Sequence, residues 1–81
     1  MYITQYCLLG KIEDANTWND KGNSLYSLGR HEEAIACFDE AIQLDPKYST
    51  AWSNKGDSLK KLGRDEDAEQ CFAKAKELDE S

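Results

Sequence analysis

A 34-residue internal repeat sets the limits on how this chain can fold. When the sequence is shifted by 34 positions, residues 15–47 align with residues 49–81, and fifteen of the 33 aligned pairs are identical. A period of this size is typical of architectures in which each unit buries its apolar side against a neighbouring unit. We therefore divide the chain into an amino-terminal segment (1–14), repeat 1 (15–48) and repeat 2 (49–81).

The first half of each repeat predicts a helix that ends at a glycine. Trp18, Gly22 and Leu25 are spaced by four and three residues, which places them on one face of a helix. Gly29 follows this segment, and Gly63 follows its counterpart in repeat 2. Both glycines are expected to cap the carboxyl end of a helix.

The second half of each repeat predicts another helix. Ala34, Phe38 and Ala41 show the same spacing, and the acidic residues at positions 32 and 33 suit the positive end of a helix dipole. Pro46 is expected to stop this helix, because the residue before a proline is pushed out of helical geometry. Ser49 is then the expected N-cap of the helix that begins repeat 2.

Gly22 and Gly56 lie inside predicted helices, where glycine costs about 1 kcal/mol relative to alanine. We interpret both as packing residues. In repeat 1, Gly22 would face Ala34 or Ala41 and allow the two helix backbones to approach closely.

The pattern W-x3-G-x2-L…A-x3-F-x2-A…P resembles the tetratricopeptide repeat (TPR) family over residues 15–81. The resemblance implies an all-α fold, an α-α superhelix of two helix-turn-helix repeats preceded by a short segment. Glu80 stands where the second proline would be, and His31 and Asp65 stand where the family often has an aromatic residue. The residues that match the pattern, and are expected to form the structural core of the repeats, are Trp18, Gly22, Leu25, Ala34, Phe38, Ala41, Pro46, Trp52, Gly56, Leu59, Ala68, Phe72 and Ala75.

The two repeats differ on one side of their second helix. Ile35 and Ile42 are seven residues apart and form a second apolar stripe, whereas Glu69 and Lys76 occupy the equivalent positions in repeat 2. Terminal repeats need a polar outer face. We therefore interpret residues 66–79 as a polar carboxyl-terminal cap and expect the stack to end there.

Residues 1–12 are rich in apolar and aromatic side chains and do not match the repeat. They could form a short helix that covers repeat 1 or dock on another molecule, and their alternating pattern also fits a short strand. Repeat arrays normally need about three units for stability, and this chain has two. We expect this segment or a second subunit to supply the missing burial.

Charge and composition exclude several function classes. The net charge is −6 and the sequence pI about 4.6, which argues against nucleic acids and anionic membranes as partners. No apolar run approaches the ~18 residues of a membrane span, and the amino terminus lacks the features of a signal peptide. Three widely spaced cysteines predict a reduced, cytoplasmic protein.

The sequence shows no catalytic or metal-binding pattern. Cys37 and Cys71 occupy equivalent positions beside phenylalanines, where a small buried residue is expected. His31 is expected in the turn between two helices, as the first residue of the second helix, with a solvated side chain. No ligand spacing suits zinc or calcium, and no glycine-rich phosphate loop occurs. We therefore predict no enzyme activity, no metal and no cofactor.

The resemblance implies a concave groove, lined by the first helix of each repeat, that holds an extended peptide or a partner's helix. The expected contacts are Asn19, Asn23, Tyr26, Asn54 and Asp57; the alternative is a solvated polar surface. Asn23 and Asn54 also match the asparagines of the TPR subclass that clamps terminal carboxylates. Its cations are missing, with Asn19 in the place of the first lysine, so carboxylate clamping is not expected.

Two function hypotheses follow from these patterns. The first is a non-catalytic scaffold that binds a peptide or protein through the concave groove. The alternative is a self-assembling TPR oligomer, including a domain-swapped one, that uses the apolar amino-terminal segment.

Overall fold

The computed structural model describes residues 14–80, which form four helices. These are α1 (Ala15–Ser27), α2 (His31–Leu44), α3 (Ser49–Lys61) and α4 (Asp65–Glu80). The all-α class and the two helices of each repeat are confirmed. Within the described range no helix is long and apolar enough to cross a membrane. The predictions made for residues 1–12 lie outside the described residues.

Both first helices end in the same glycine-based motif. Gly29 and Gly63 have φ values of 81° and 82°, a left-handed conformation that favours glycine. The Gly29 N–H donates to the Tyr26 carbonyl at 3.0 Å, and the Arg30 N–H donates to the Leu25 carbonyl at 2.9 Å. This is the Schellman hydrogen-bond pattern, and repeat 2 shows it as well. The predicted glycine caps are confirmed.

The connection between the repeats corrects the predicted cap of α3. The N-cap is Tyr48, which makes no side-chain capping bond, and Ser49 is the first helical residue. Pro46 follows the end of α2, as expected, but it is exposed and does not belong to the core. Its carbonyl accepts a 3.0 Å hydrogen bond from Trp52 Nε1. The proline therefore ends one helix and positions the tryptophan of the next.

The helices of each repeat pack through small residues and a phenylalanine ring. Ala34, Phe38 and Ala41 are fully buried. A Cβ added at Gly22 would lie 2.7 Å from Phe38 Cδ1, and one at Gly56 would lie 2.6 Å from Phe72 Cε1. The glycines therefore leave room for a phenylalanine ring. The atoms nearest to the Gly22 position belong to Phe38 rather than to Ala34 or Ala41.

Burial among the other predicted core residues is uneven. Trp18, Leu25, Trp52 and Phe72 are half-buried. Phe38 is more deeply buried than Phe72 because α2 packs between α1 and α3, whereas α4 packs against α3 alone among the described helices. The remaining residues of the pattern, Gly22, Gly56, Leu59, Ala68 and Ala75, are buried, together with Ala51, Ser58 and Cys71.

The repeats contact each other along α2 and α3. Ile35 packs against a cluster that contains Leu59 and Cys71, and Lys55 Nζ lies 2.6 Å from Asp39 Oδ1. On α4, Glu69 is exposed at the position equivalent to Ile35. The apolar stripe of repeat 1 is thus a contact surface, while its counterpart in repeat 2 meets solvent.

Candidate functional site

The two first helices, α1 and α3, are joined by polar side chains. Asn54 Nδ2 donates to Asn19 Oδ1 at 2.9 Å, and Tyr48 Oη donates to Asn16 Oδ1 at 2.6 Å. Asn19 is only 4% exposed. It therefore bridges the repeats, and its predicted place on an exposed face was wrong.

The other four predicted contact residues surround one small opening between α1 and α3. Asn23, Tyr26, Asn54 and Asp57 line a cavity of about 80 Å³ whose remaining lining residue is Phe38. Asn23 and Asp57 are exposed, whereas Asn54 and Tyr26 are half-buried. Asparagine amides offer both donors and acceptors, and the Asp57 carboxylate only accepts. The opening therefore presents both hydrogen-bond donors and hydrogen-bond acceptors. We call it the groove opening.

Tyr26 is held in place by His31. Their rings meet edge to face, with centroids 4.9 Å apart and an interplanar angle of 69°. His31 is the first residue of α2, as expected, but its side chain is half-buried rather than solvated. Its Nδ1 atom is buried without a hydrogen-bond partner among residues 14–80. Its contact with Tyr26 indicates a packing role beside the groove opening.

A larger cleft, which the sequence did not predict, lies between α2 and α4 over α3. Its volume is about 550 Å³, and its apolar lining comes from Ile35, Trp52, Leu59 and Cys71. Ile35 and Trp52 pack against the buried cluster to which Leu59 and Cys71 belong. The repeat pattern marks Trp52 and Leu59 as core residues. It gives no sign that they stay partly open, because this depends on the angle between the repeats.

The charged side chains that line the cleft form ion pairs with oppositely charged side chains. In addition to the Asp39–Lys55 pair, Arg64 Nη2 lies 3.2 Å from Asp67 Oδ2, and Lys74 Nζ lies 3.2 Å from a carboxylate one turn further along α4. A charged ligand would have to compete with these pairs. The cleft is therefore less suited to polar recognition than the groove opening.

The two described cysteines are thiols rather than disulfides, and their surroundings differ. Cys71 is buried, and Cys37 is half-buried. Burial raises the pKa of the Cys71 thiol, so its thiolate, the nucleophilic form, is disfavoured. Within residues 14–80, no three His, Cys, Asp or Glu side chains are grouped so that they could hold a metal ion.

Comparison with protein families identifies both repeats. The family described as TPR repeat matches residues 22–63, which is more than half of the chain. The family described as tetratricopeptide repeat matches residues 49–81. The first match spans the contact between the two repeats, and the second covers all of repeat 2.

Proposed function

Since the chain belongs to the tetratricopeptide repeat family, a family of protein-interaction modules, we propose that it is a non-catalytic scaffold that binds a peptide through the groove opening. The supporting observation is that Asn23, Tyr26, Asn54 and Asp57, contributed by both repeats, line one opening. A single repeat could not provide this set. The contact between α1 and α3 is therefore part of the proposed binding surface.

The chemistry of the groove opening favours an extended peptide with a basic side chain. Asp57 is the one charged residue among its lining residues, and a carboxylate pairs best with Arg or Lys. Asn23 and Asn54 can bond the peptide backbone, and the Tyr26 ring offers an apolar contact. The net charge of −6 adds a long-range attraction for a basic peptide.

The proposal is tested by selecting binders from a phage-displayed random peptide library on the full chain. We expect enrichment of basic peptides. Their affinity should fall at least about tenfold in the double variant Asn23→Ala/Asp57→Ala, because a charge-assisted hydrogen bond and a second hydrogen bond are lost. The dissociation constant is measured by isothermal titration calorimetry.

The control removes one exposed polar residue from each of the same helices outside the groove opening. Asp20→Ala/Thr50→Ala also removes one negative charge, so it matches the test variant in net charge. Asn54 is left unchanged because it bonds Asn19 and its loss would loosen the contact between the repeats. Selected peptides that bind both double variants as tightly as the unchanged chain would exclude groove binding.

Self-assembly through the amino-terminal segment remains an alternative prediction. Residues 1–12, which would make this contact, lie outside the described range. Light scattering of the full chain at micromolar concentration tests this alternative by measuring the solution mass. The mass of a monomer would exclude self-assembly. The predicted cytoplasmic location also remains a prediction.

A further inference from the structure

The Asn54 amide is held in one orientation at the groove opening. Its Nδ2 donates to Asn19 Oδ1 at 2.9 Å, and Asn19 is almost completely buried. The oxygen and the nitrogen of a side-chain amide lie on opposite sides of the bond that carries them. The hydrogen bond therefore directs Nδ2 towards α1 and leaves Oδ1, an acceptor, for a ligand of the groove opening.

Asp57 provides a second acceptor beside Asn54. The two residues are three positions apart in α3, so their side chains are neighbours, with about 5–6 Å between their Cβ atoms. Both line the groove opening, and the Asp57 carboxylate only accepts hydrogen bonds. The α3 side of the opening therefore favours a positively charged group with several donors.

Aromatic rings form another part of the lining. Phe38 and Tyr26 both line the groove opening. Phe38 is fully buried, and the Tyr26 ring packs against His31. An aromatic lining favours a cation that loses its water readily and stacks on a ring. A guanidinium has both properties, whereas the ammonium group of lysine is compact and strongly hydrated.

The size of the opening limits what can enter it. Its volume of about 80 Å³ corresponds to roughly two to three molecules of liquid water. The opening can therefore admit the head group of one side chain, while the rest of a bound peptide lies outside it.

We propose that the groove opening selects arginine, and that Asn19 is the positioning residue for this selection; the inference rests on the proposed function. The guanidinium donates to the Asp57 carboxylate and to Asn54 Oδ1, and it contacts the Tyr26 ring. Asn19 does not touch the ligand. It acts by holding the Asn54 amide in the orientation that presents the acceptor.

The cations of the chain itself fit this role poorly. Residues 1–13 contain one lysine, Lys11, and no arginine, so this segment cannot supply a guanidinium. Arg30 Nη2 and Arg64 Nη2 lie 2.8 Å and 3.2 Å from carboxylate oxygens three residues further along the chain. A second copy would have to give up one of these pairs in order to bind. The groove opening therefore favours an arginine of a different protein.

Two short peptides test the selection. The probes are acetyl-Gly-Gly-Arg-Gly-Gly-amide and the same peptide with lysine in place of arginine, each titrated into the full ¹⁵N-labelled chain. We expect saturable amide shift changes centred on Asn23, Tyr26, Asn54 and Asp57. The arginine peptide should bind at least about fivefold more tightly, because it gains a hydrogen bond and an aromatic contact. A citrulline peptide, which keeps the shape without the charge, should bind more weakly than either.

Asn19→Ala tests the positioning role. The variant removes the acceptor that holds the Asn54 amide, so the preference for arginine over lysine should fall below about twofold, the loss of one hydrogen bond. Asn16→Ala is the matched control, because it removes the other bond between α1 and α3, the one from Tyr48 Oη. It should keep the full preference.

Asn19→Asp is the conservative variant. Its carboxylate still accepts the bond from Asn54 Nδ2, so the preference for arginine should be retained even if both affinities change. Loss of the preference in this variant would contradict the positioning role, and this measurement stands if Asn19→Ala does not fold. Circular dichroism verifies the fold of each variant.

Several results would overturn the inference. Equal affinity of the arginine and lysine peptides would exclude selection, although the groove opening could still bind basic peptides in general. Shift changes centred on the cleft, or none at the highest soluble concentration, would exclude the proposed arginine site. An arginine preference that persists in Asn19→Ala would exclude the positioning role. The proposed function itself fails on a different result, namely library-selected peptides that bind Asn23→Ala/Asp57→Ala as tightly as the unchanged chain.

Discussion

At the residue scale, Ser58 carries a buried hydroxyl without a partner. The side chain is fully buried, and its Oγ atom has no hydrogen-bond partner within residues 14–80. We predict that Ser58→Ala raises the free energy of unfolding by about 1 kcal/mol, because it removes an unpaired polar group and improves helix propensity. Urea denaturation followed by circular dichroism measures the change.

Ser24→Ala is the matched control for this prediction. Ser24 is the equivalent residue in repeat 1, and it is exposed on α1. Its replacement gains the same helix propensity but relieves no buried hydroxyl, so the gain should be clearly smaller. Equal gains in the two variants would mean that burial of the Ser58 hydroxyl carries no penalty.

The burial of a residue could be predicted from the sequence where the pattern of its own helix is sufficient, but not where a distant helix covers it. Phe38 and Ala41 were predicted as core because their spacing within one helix is sufficient to show a shared face. Asn19 was misplaced because α3, 35 residues away at Asn54, buries and bonds it. The spacing of residues in α1 gives no information about which side of this helix contacts α3.

At the element scale, α1 begins with a charged side-chain cap. The Thr17 N–H donates to Asp14 Oδ1 at 3.0 Å, and Thr17 Oγ1 donates to the same oxygen at 3.1 Å. The backbone hydrogen bond from Thr17 is the main reason that the pKa of the Asp14 carboxyl lies below its usual 3.8. Since the folded-state pKa is lowered, the stabilisation is present above the unfolded pKa and is lost as the pH falls through the folded value.

We predict that Asp14→Asn reduces the loss of stability on acidification. The amide still accepts the capping bond but does not titrate. The difference in unfolding free energy between the chain and the variant should therefore shrink as the pH falls from about 5 to about 2. Urea denaturation at each pH measures this difference, in which the contributions of the other acidic residues cancel. A difference that stays constant with pH would contradict the role of the charge.

Helix ends were predicted well where one residue type has a unique conformation. Gly29 and Gly63 adopt the left-handed conformation that their position requires. The N-cap of α3 was predicted one residue too late, at Ser49, because the turn after Pro46 determines where this helix begins. There the Tyr48 N–H donates to the Asp45 carbonyl at 3.0 Å, and the Tyr48 carbonyl accepts the first helical hydrogen bond, from the Trp52 N–H at 3.3 Å. Tyr48 is therefore the N-cap.

At the scale of the whole molecule, the repeat was enough to predict four helices and their pairing. It did not predict the bonds between α1 and α3 or the cleft between α2 and α4. Both depend on how far one repeat is rotated against the next. This rotation is determined by contacts between residues far apart in the chain, such as Lys55 with Asp39 and Tyr48 with Asn16.

The contact between the repeats should also make them unfold together. Ile35 packs against Leu59 and Cys71 of repeat 2, although it belongs to repeat 1. We predict that Ile35→Ala lowers the free energy of unfolding by about 1–2 kcal/mol, less than for a fully buried isoleucine because the side chain is half-buried. Glu69→Ala, at the equivalent exposed position of α4, should change it by less than about 0.5 kcal/mol. Urea denaturation should give a single transition with the same slope for all three proteins, since the surface exposed on unfolding is unchanged.

Equal effects of the two substitutions, or a transition that splits in two in the unchanged chain, would mean that Ile35 does not couple the repeats. Coupling through Ile35 would keep the two halves of the groove opening in a fixed relative position, as the proposed peptide binding requires.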